Sequence, residues 1–345
     1  MAKVIKPEQL NRADLAVALG NGGVLLPMLG GYCVLSQEPE SVRSHFGHAH
    51  RLVLGFRSIL AELDEVNPAR RGAVMKILAG PVVGILSRTG QTGLTSGSGV
   101  ALATEPLARS VLEHTPGQLW LGIPDEPMQP GALIDELGEW LAMAVVEDGA
   151  AGPGPTVIDF TQAPVRVDRR GRLAILEIEK ELGEPVRLGP EVIFSVLVVC
   201  TGNSCRSPMA AGYLAKLLEG ERVLVGSAGT AAPEGSPPTA FAVEVAAGLG
   251  VDISGHRARQ LTRDMILSAD LILVMERQHR DWIGERAPEA LPRVRLLSSY
   301  RTGEPLEIFD PVGRPIEVYQ EVMSQMQIPL ERIAKEIGWR LGTGD

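Results

Sequence analysis

The chain has 345 residues, 45% hydrophobic and 22% charged, with a formal net charge of -9 and a pI of about 5.3. That length predicts two domains, each able to bury a core, and that charge argues against a protein whose main work is gripping nucleic acid. Three cysteines are too few for a disulfide framework and point to the cytoplasm; the start, MAKVIKPEQL, lacks a signal peptide's apolar core, and no apolar run approaches the roughly 20 residues of a membrane span.

In chain order, NRADLAVALGNGGVLLPMLGGYCVLS reads as a helix, a Gly-Gly turn, then a strand and loop. HFGHAH gathers His45, His48 and His50, half of the six histidines. Imidazole is a common zinc ligand, but this spacing fits no standard zinc motif and the cluster holds no Cys or carboxylate. It reads as a surface turn, and no metal or cofactor is expected. EDGAAGPGPT is Gly/Pro-rich, yet TVIDF behind it reads as another strand, so the stretch is a loop. The domain boundary falls in GEPVRLGPEV, giving domains 1–190 and 191–345.

Beyond the boundary the pattern is regular. VIFSVLVV is a buried strand, SPMAAGYLAKLLEG a helix with Pro208 in its first turn and Gly220 at its end. RVLVGSAG is a strand, PPTAFAVEVAAGLG a helix, ADLILVM a strand, ERQHRDWIGE a short helix and RVRLL a strand. One or two helices close the chain from Ile316. Apolar strands alternating with helices predict an α/β fold with a doubly wound parallel sheet, whose ligands bind at the C-terminal strand ends.

VLVVCTGNSCRSPMAAGYL lies at such an end. A strand-loop-helix turn of small residues presents backbone N–H groups as a nest, and the helix N-terminus adds positive potential; both favour an anion. Cys200 enters that nest, where a lowered thiol pKa is expected. Arg206 follows six residues later with a planar fork suited to two phosphoryl oxygens. Ser207 can donate to the sulfur, and Gly202 and Asn203 tolerate left-handed backbone. The chemistry this suggests is attack by sulfur on phosphorus.

VLVVCTGNSCRSPMA, VGSAGT, DISGHRARQL, ADLILVMERQH and IFDPVG together resemble, in order, the low-molecular-weight protein phosphatase family, from Val196 to about Trp339. The resemblance implies Cys200 as nucleophile, Arg206 as phosphate clamp and Asp310 as general acid, then base, with Pro311 stiffening its loop. Thr201, Gly202, Asn203, Ser204, Cys205 and Ser207 would form the substrate cradle. Cys205 would also trap an oxidised nucleophile as a reversible disulfide. The expected partners are phosphorylated proteins. His256 is expected to be structural and His279 to lie on an exposed helix. Arsenate reduction, which some relatives perform, needs a further cysteine that this domain lacks. Ser204 stands where the tyrosine-directed branch carries a bulky aliphatic and the arginine-directed branch a threonine, which favours phosphoarginine slightly over phosphotyrosine.

The first half, from about Pro7 to Leu188, resembles the YrdC-like α/β fold of threonylcarbamoyl-adenylate synthases, with Tyr32, Thr156 and Arg170 retained. It departs from that family at Pro27, Met28, Leu29 and Gly30, where polar residues are expected. It also lacks the Lys-x-Arg element, the arginine expected in GVALATEP and the Ser-Ala-Asn segment. An ATP site without basic phosphate ligands is electrostatically poor. This domain is therefore expected to be catalytically degenerate, with a nucleotide or RNA as its ligand. The alternatives are a bifunctional synthase and phosphatase acting in tRNA modification, and a low-molecular-weight protein-tyrosine phosphatase.

Overall fold

The computed structural model describes residues 2–29, 31–53, 63, 66–86, 99–115, 117–124, 128–147, 152–301 and 307–344. The chain divides into two compact units, Met1–Glu191 and Val192–Asp345. Gly30, residues 125–127 of the segment searched for Ser-Ala-Asn, and 148–151 of the Gly/Pro-rich stretch lie outside the described residues.

In the first unit the elements run β1 Lys3–Ile5, α1 Arg12–Asn21, β2 Gly23–Met28, β3 Gly31–Ser36, α2 Pro39–Phe46, β4 His50–Val53, α3 Arg71–Leu78, β5 Val82–Ile85 and β6 Val100–Leu102. Then follow α4 Pro106–His114, β7 Leu119–Gly122, α5 Pro130–Leu137, β8 Leu141–Val145, β9 Thr156–Asp159, β10 Arg166–Arg169, α6 Ile175–Leu182 and β11 Arg187–Leu188. Among the described residues the strands form one mixed sheet in the order β1-β8-β2-β3-β7-β4-β6-β5-β9-β10-β11. Its core gathers the inward residues Val24, Leu26, Met28, Cys33 and Leu35 of the β2–β3 hairpin. The expected strand and loop is thus a hairpin. Pro27 is tolerated there because β8 pairs only with Gly23–Leu25, so no ladder bond is asked of the missing N–H.

The histidine cluster is a surface turn only in part: His45 is exposed and His48 half-buried. His50 is buried on β4 and its Nδ1 accepts the Gly99 N–H at 2.8 Å. His48 Nε2 accepts from the Ile123 N–H, and His45 stacks on Trp140 at 4.1 Å. These rings are committed to packing and backbone satisfaction. No group of metal-holding side chains exists among the described residues.

The second unit begins at Val192, one residue from the expected boundary, and β11, inside GEPVRLGPEV, pairs with β10 of the first. Its elements are β12 Phe194–Cys200, α7 Arg206–Leu217, β13 Val223–Gly229, α8 Ala240–Gly248, α9 Arg263–Ser268, β14 Leu271–Val274, α10 Arg277–Arg286, β15 Val294–Leu296 and α11 Ile316–Leu341. The sheet is all parallel, ordered β13-β12-β14-β15. β12 and β14 are apolar along their length because the sheet is covered on both faces. Chain order reverses at β12, which sends β13 to one side and β14 to the other. The crevice at its C-terminal end is the topological switch point of the sheet. The register sets Cys200 against Gly229. A side chain at Gly229 would meet the Thr201 carbonyl at 2.4 Å, so only glycine lets β13 run this close to the loop after β12. The closing segment is one helix, although Pro329 lies within it. Among the described residues, no helix is long and apolar enough to cross a membrane.

Candidate functional site

The loop Cys200–Arg206 is tied down from outside. The carbonyls of Cys200, Thr201, Asn203 and Ser204 accept bonds from the Thr230 N–H, the Ala231 N–H, His256 Nε2 and the Thr239 N–H, at 2.9–3.0 Å. A trans peptide sets its C=O and the next N–H on opposite sides. Four carbonyls turned toward the flanking segments therefore turn the N–H groups of residues 201, 202, 204 and 205 toward the inside of the loop. That is an anion nest, with the N-terminus of α7 behind it.

Asn203 is the keystone. It is buried with φ of 51°, a left-handed conformation that asparagine tolerates better than most residues. Its amide donates to Ser207 Oγ and Ser227 Oγ, both at 2.9 Å, and its side-chain oxygen accepts the Arg259 N–H at 2.9 Å. Its own N–H donates to Cys200 Sγ at 3.2 Å. Since Ser207 Oγ already accepts from Asn203, its hydrogen is left to donate to Cys200 Sγ, 3.0 Å away. His256 must carry its proton on Nε2 to serve the Asn203 carbonyl; burial lowers its pKa against that bond, with Arg259 and Arg257 lowering it further. His256 thus helps to hold the loop through the Asn203 carbonyl.

The thiol departs from expectation. Burial pushes the Cys200 pKa up, while the Ser207 hydroxyl, the Arg206 charge and the Ser207 and Asn203 N–H groups pull it down. Burial outweighs them. Arg206, which still pulls the thiol down, is itself 1% exposed and shares its charge with two carboxylates. Its guanidinium pairs with Glu276 and Asp310 and donates to the Ile308 carbonyl at 2.8 Å. Its Nε is buried with no partner among the described residues. A buried cationic donor left unmatched is costly, and an anion seated in the nest would satisfy it.

Asp310 reaches the site on the loop before α11. Ile308 pairs its N–H with the Met275 carbonyl at the end of β14, and Glu307 accepts the Arg277 N–H. Phe309 and Val312, either side of the Asp310–Pro311 pair, are exposed at 54% and 56%. Cys205 Sγ lies 3.3 Å from Thr239 Oγ1 and 3.6 Å from Tyr319 OH, and all three cysteines are free. Ser204 Oγ lies 3.7 Å from Cys205 Sγ. The structure thus brings Arg206 against Asp310 and Glu276, and Cys200 against Ser207 and Asn203.

Three neighbours escaped the sequence reading. Glu276 is the second carboxylate on Arg206. Phe309 is an exposed ring beside Asp310. His279, expected on an exposed helix, is 1% exposed, because it sits on the first turn of α10, packed against Thr201. The pattern E-x-x-H directly after an apolar strand could have signalled a capping arrangement there.

Comparison with known proteins falls on this unit. The sequence profile described as low molecular weight phosphotyrosine protein phosphatase matches residues 195–340. A protein-arginine-phosphatase of Geobacillus stearothermophilus is 40% identical over 145 residues, spanning 42% of this chain and 96% of that protein. The low molecular weight protein-tyrosine-phosphatase Etp of Escherichia coli K12 is 40% identical over 147 residues, 43% of this chain and 94% of its own. The solved YwlE arginine phosphatase from Geobacillus stearothermophilus is 39% identical, covering 42% of this chain and 94% of that one, with a TM-score of 0.39. Through its second unit the chain belongs to the low molecular weight phosphotyrosine protein phosphatase family.

Proposed function

We propose that the second unit hydrolyses phosphorylated protein side chains through a phosphocysteine. The observation that carries this is the unmatched buried Arg206 Nε beside a nest of inward N–H groups and a sulfur held by two donors. In this reading the phosphoryl group settles against the 201–207 backbone and draws Arg206 onto its oxygens, releasing Asp310. The Cys200 thiol passes its proton to the released Asp310; the thiolate attacks phosphorus, the bond to the leaving atom breaks, and Asp310 gives that atom the proton. Asp310 then takes a proton from water, whose oxygen attacks phosphorus; the S–P bond breaks, freeing phosphate and the thiolate. Ser207 and Asn203 steady the sulfur as it gains and loses charge.

Phosphoarginine is the favoured substrate. Ser204 puts a hydroxyl, not a bulky aliphatic, at the loop, and Val312 leaves the segment after Asp310–Pro311 without a ring. A polar guanidinium suits that wall better than a phenyl group. Phosphotyrosine is the second reading, and Phe309 favours it, since an exposed ring beside Asp310 offers a stacking face. A peptide panel separates them. We expect the ratio of phosphoarginine to phosphotyrosine kcat/KM to exceed one, and Ser204→Ile to move it about tenfold toward phosphotyrosine. Much faster phosphotyrosine hydrolysis by the unaltered protein would replace the first reading with the second.

The first unit we read as a YrdC-like module without synthase activity, bound to a nucleotide or RNA. Thr156 supports the missing synthase activity: its hydroxyl is buried and exchanges bonds with the Leu173 backbone at 3.1 Å, which leaves it poorly placed for a substrate. Full-length protein with threonine, bicarbonate and ATP should form no threonylcarbamoyl-adenylate, while a nucleotide or RNA ligand should raise the melting temperature. Robust product would overturn this.

A further inference from the structure

The sequence of α10, RQHRDWIGER, is polar almost throughout, yet it buries His279 against the phosphate loop. The ring's protonation state follows from its two bonds. His279 Nδ1 accepts the Glu276 N–H at 3.2 Å, so it carries no proton. Nε2 therefore carries it and donates to Thr201 Oγ1 at 2.9 Å. The Glu276 carboxylate holds Arg206 through one oxygen and accepts Gln278 Nε2 at 2.8 Å through the other. The segment 276–279 thus anchors both ends of the loop, Thr201 through His279 and Arg206 through Glu276.

We propose that His279 is a positioning residue for the phosphate cradle: neutral, with its proton on Nε2, it fixes Thr201 directly and, through the Glu276 amide, the carboxylate that aims Arg206. This rests on the reading of the Cys200 loop as an oxyanion site. Protonating Nδ1 would turn an acceptor into a donor facing the Glu276 N–H, and the bracket would open at its Glu276 end while the Nε2–H still reached Thr201. Burial holds the imidazole down to about 4. Glu276 on the same turn, and Asp310 and Glu307 on the loop before α11, pull it up; Arg206 of α7 pulls it down. The ring is therefore neutral at physiological pH, and the Glu276 end of the bracket is lost only as pH falls through about 4.

The test uses full-length protein and p-nitrophenyl phosphate, with inorganic phosphate as competing inhibitor. In H279Q the amide oxygen can accept and the amide nitrogen donate, as the ring does; H279L can do neither. We expect H279L to lose about 10–100-fold in kcat/KM and to bind phosphate more weakly, as a misplaced cradle should. H279Q should recover most of that loss and show a weaker acid fall-off near pH 4 than the parent. Nitrogen-15 spectra of the parent should show the Nε2-protonated tautomer at neutral pH. The proposal is overturned if H279L matches the parent, if H279Q falls as far as H279L, or if Nδ1 carries the proton. Were H279L to misfold, H279Q and the tautomer still decide. A parent that neither hydrolyses the ester nor binds phosphate would instead sink the reading of the site, and the tautomer alone would then judge the bracket.

Discussion

Cys200→Ser should abolish turnover, by about a thousandfold or more, while phosphate still binds and the melting temperature hardly moves. The sulfur is the nucleophile in the proposed route, and a serine hydroxyl in the same place has no base beside it to make it reactive. The donors that surround it, from Ser207 and Asn203, remain. Steady-state kinetics, with phosphate binding by calorimetry, separates loss of chemistry from loss of the site. Appreciable activity in the variant would show that the covalent route is wrong.

Arg206 should give the second large effect, and two substitutions divide it. Arg206→Lys keeps one charge near Glu276 and Asp310 but replaces a planar fork with a point charge. It should fold and lose about 10²–10³ in kcat/KM, the size seen when a preorganised oxyanion donor is removed. Arg206→Ala leaves both carboxylates without their cation. Removing one partner of a buried pair costs about 3–5 kcal/mol. Here Glu276 and Asp310 are 20% and 41% exposed, so water offsets part of that, and about 2–3 kcal/mol is expected. Chemical denaturation checks the second figure. A lysine variant with full activity would show that Arg206 holds the loop and not the phosphate.

The second unit was legible in the sequence for a physical reason. A parallel sheet covered on both faces needs continuous apolar strands, and FSVLVVC and LILV are such runs. Cys200 stood out because such a strand ends there, just before small residues and a helix. Asp310 was legible only through resemblance, since 104 residues separate it from the guanidinium it pairs with, and no local pattern carries that. A separation of 70 residues from Arg206 likewise hid Glu276. The thiol was misread for another reason: Arg206 does lower its pKa, but the burial that outweighs it depends on neighbours brought from distant segments. His279 was misread because a polar helix predicts exposure on average, and burial of one first-turn residue depends on what the preceding strand brings near. In the first unit the β2–β3 hairpin was missed because Pro27 argues against a strand; the partner β8 stops short of it, which sequence periodicity does not reveal.

The most direct measurement of the central claim traps the intermediate. Asp310→Asn removes the base that activates water, and p-nitrophenyl phosphate needs little help from an acid because its leaving group is good. Mixing the two and quenching within milliseconds should give protein carrying one phosphoryl group, located by peptide mass spectrometry on Cys200 and absent from Cys200→Ser. A phosphoryl group on another residue, or none while p-nitrophenol is still released, would contradict a phosphocysteine at Cys200.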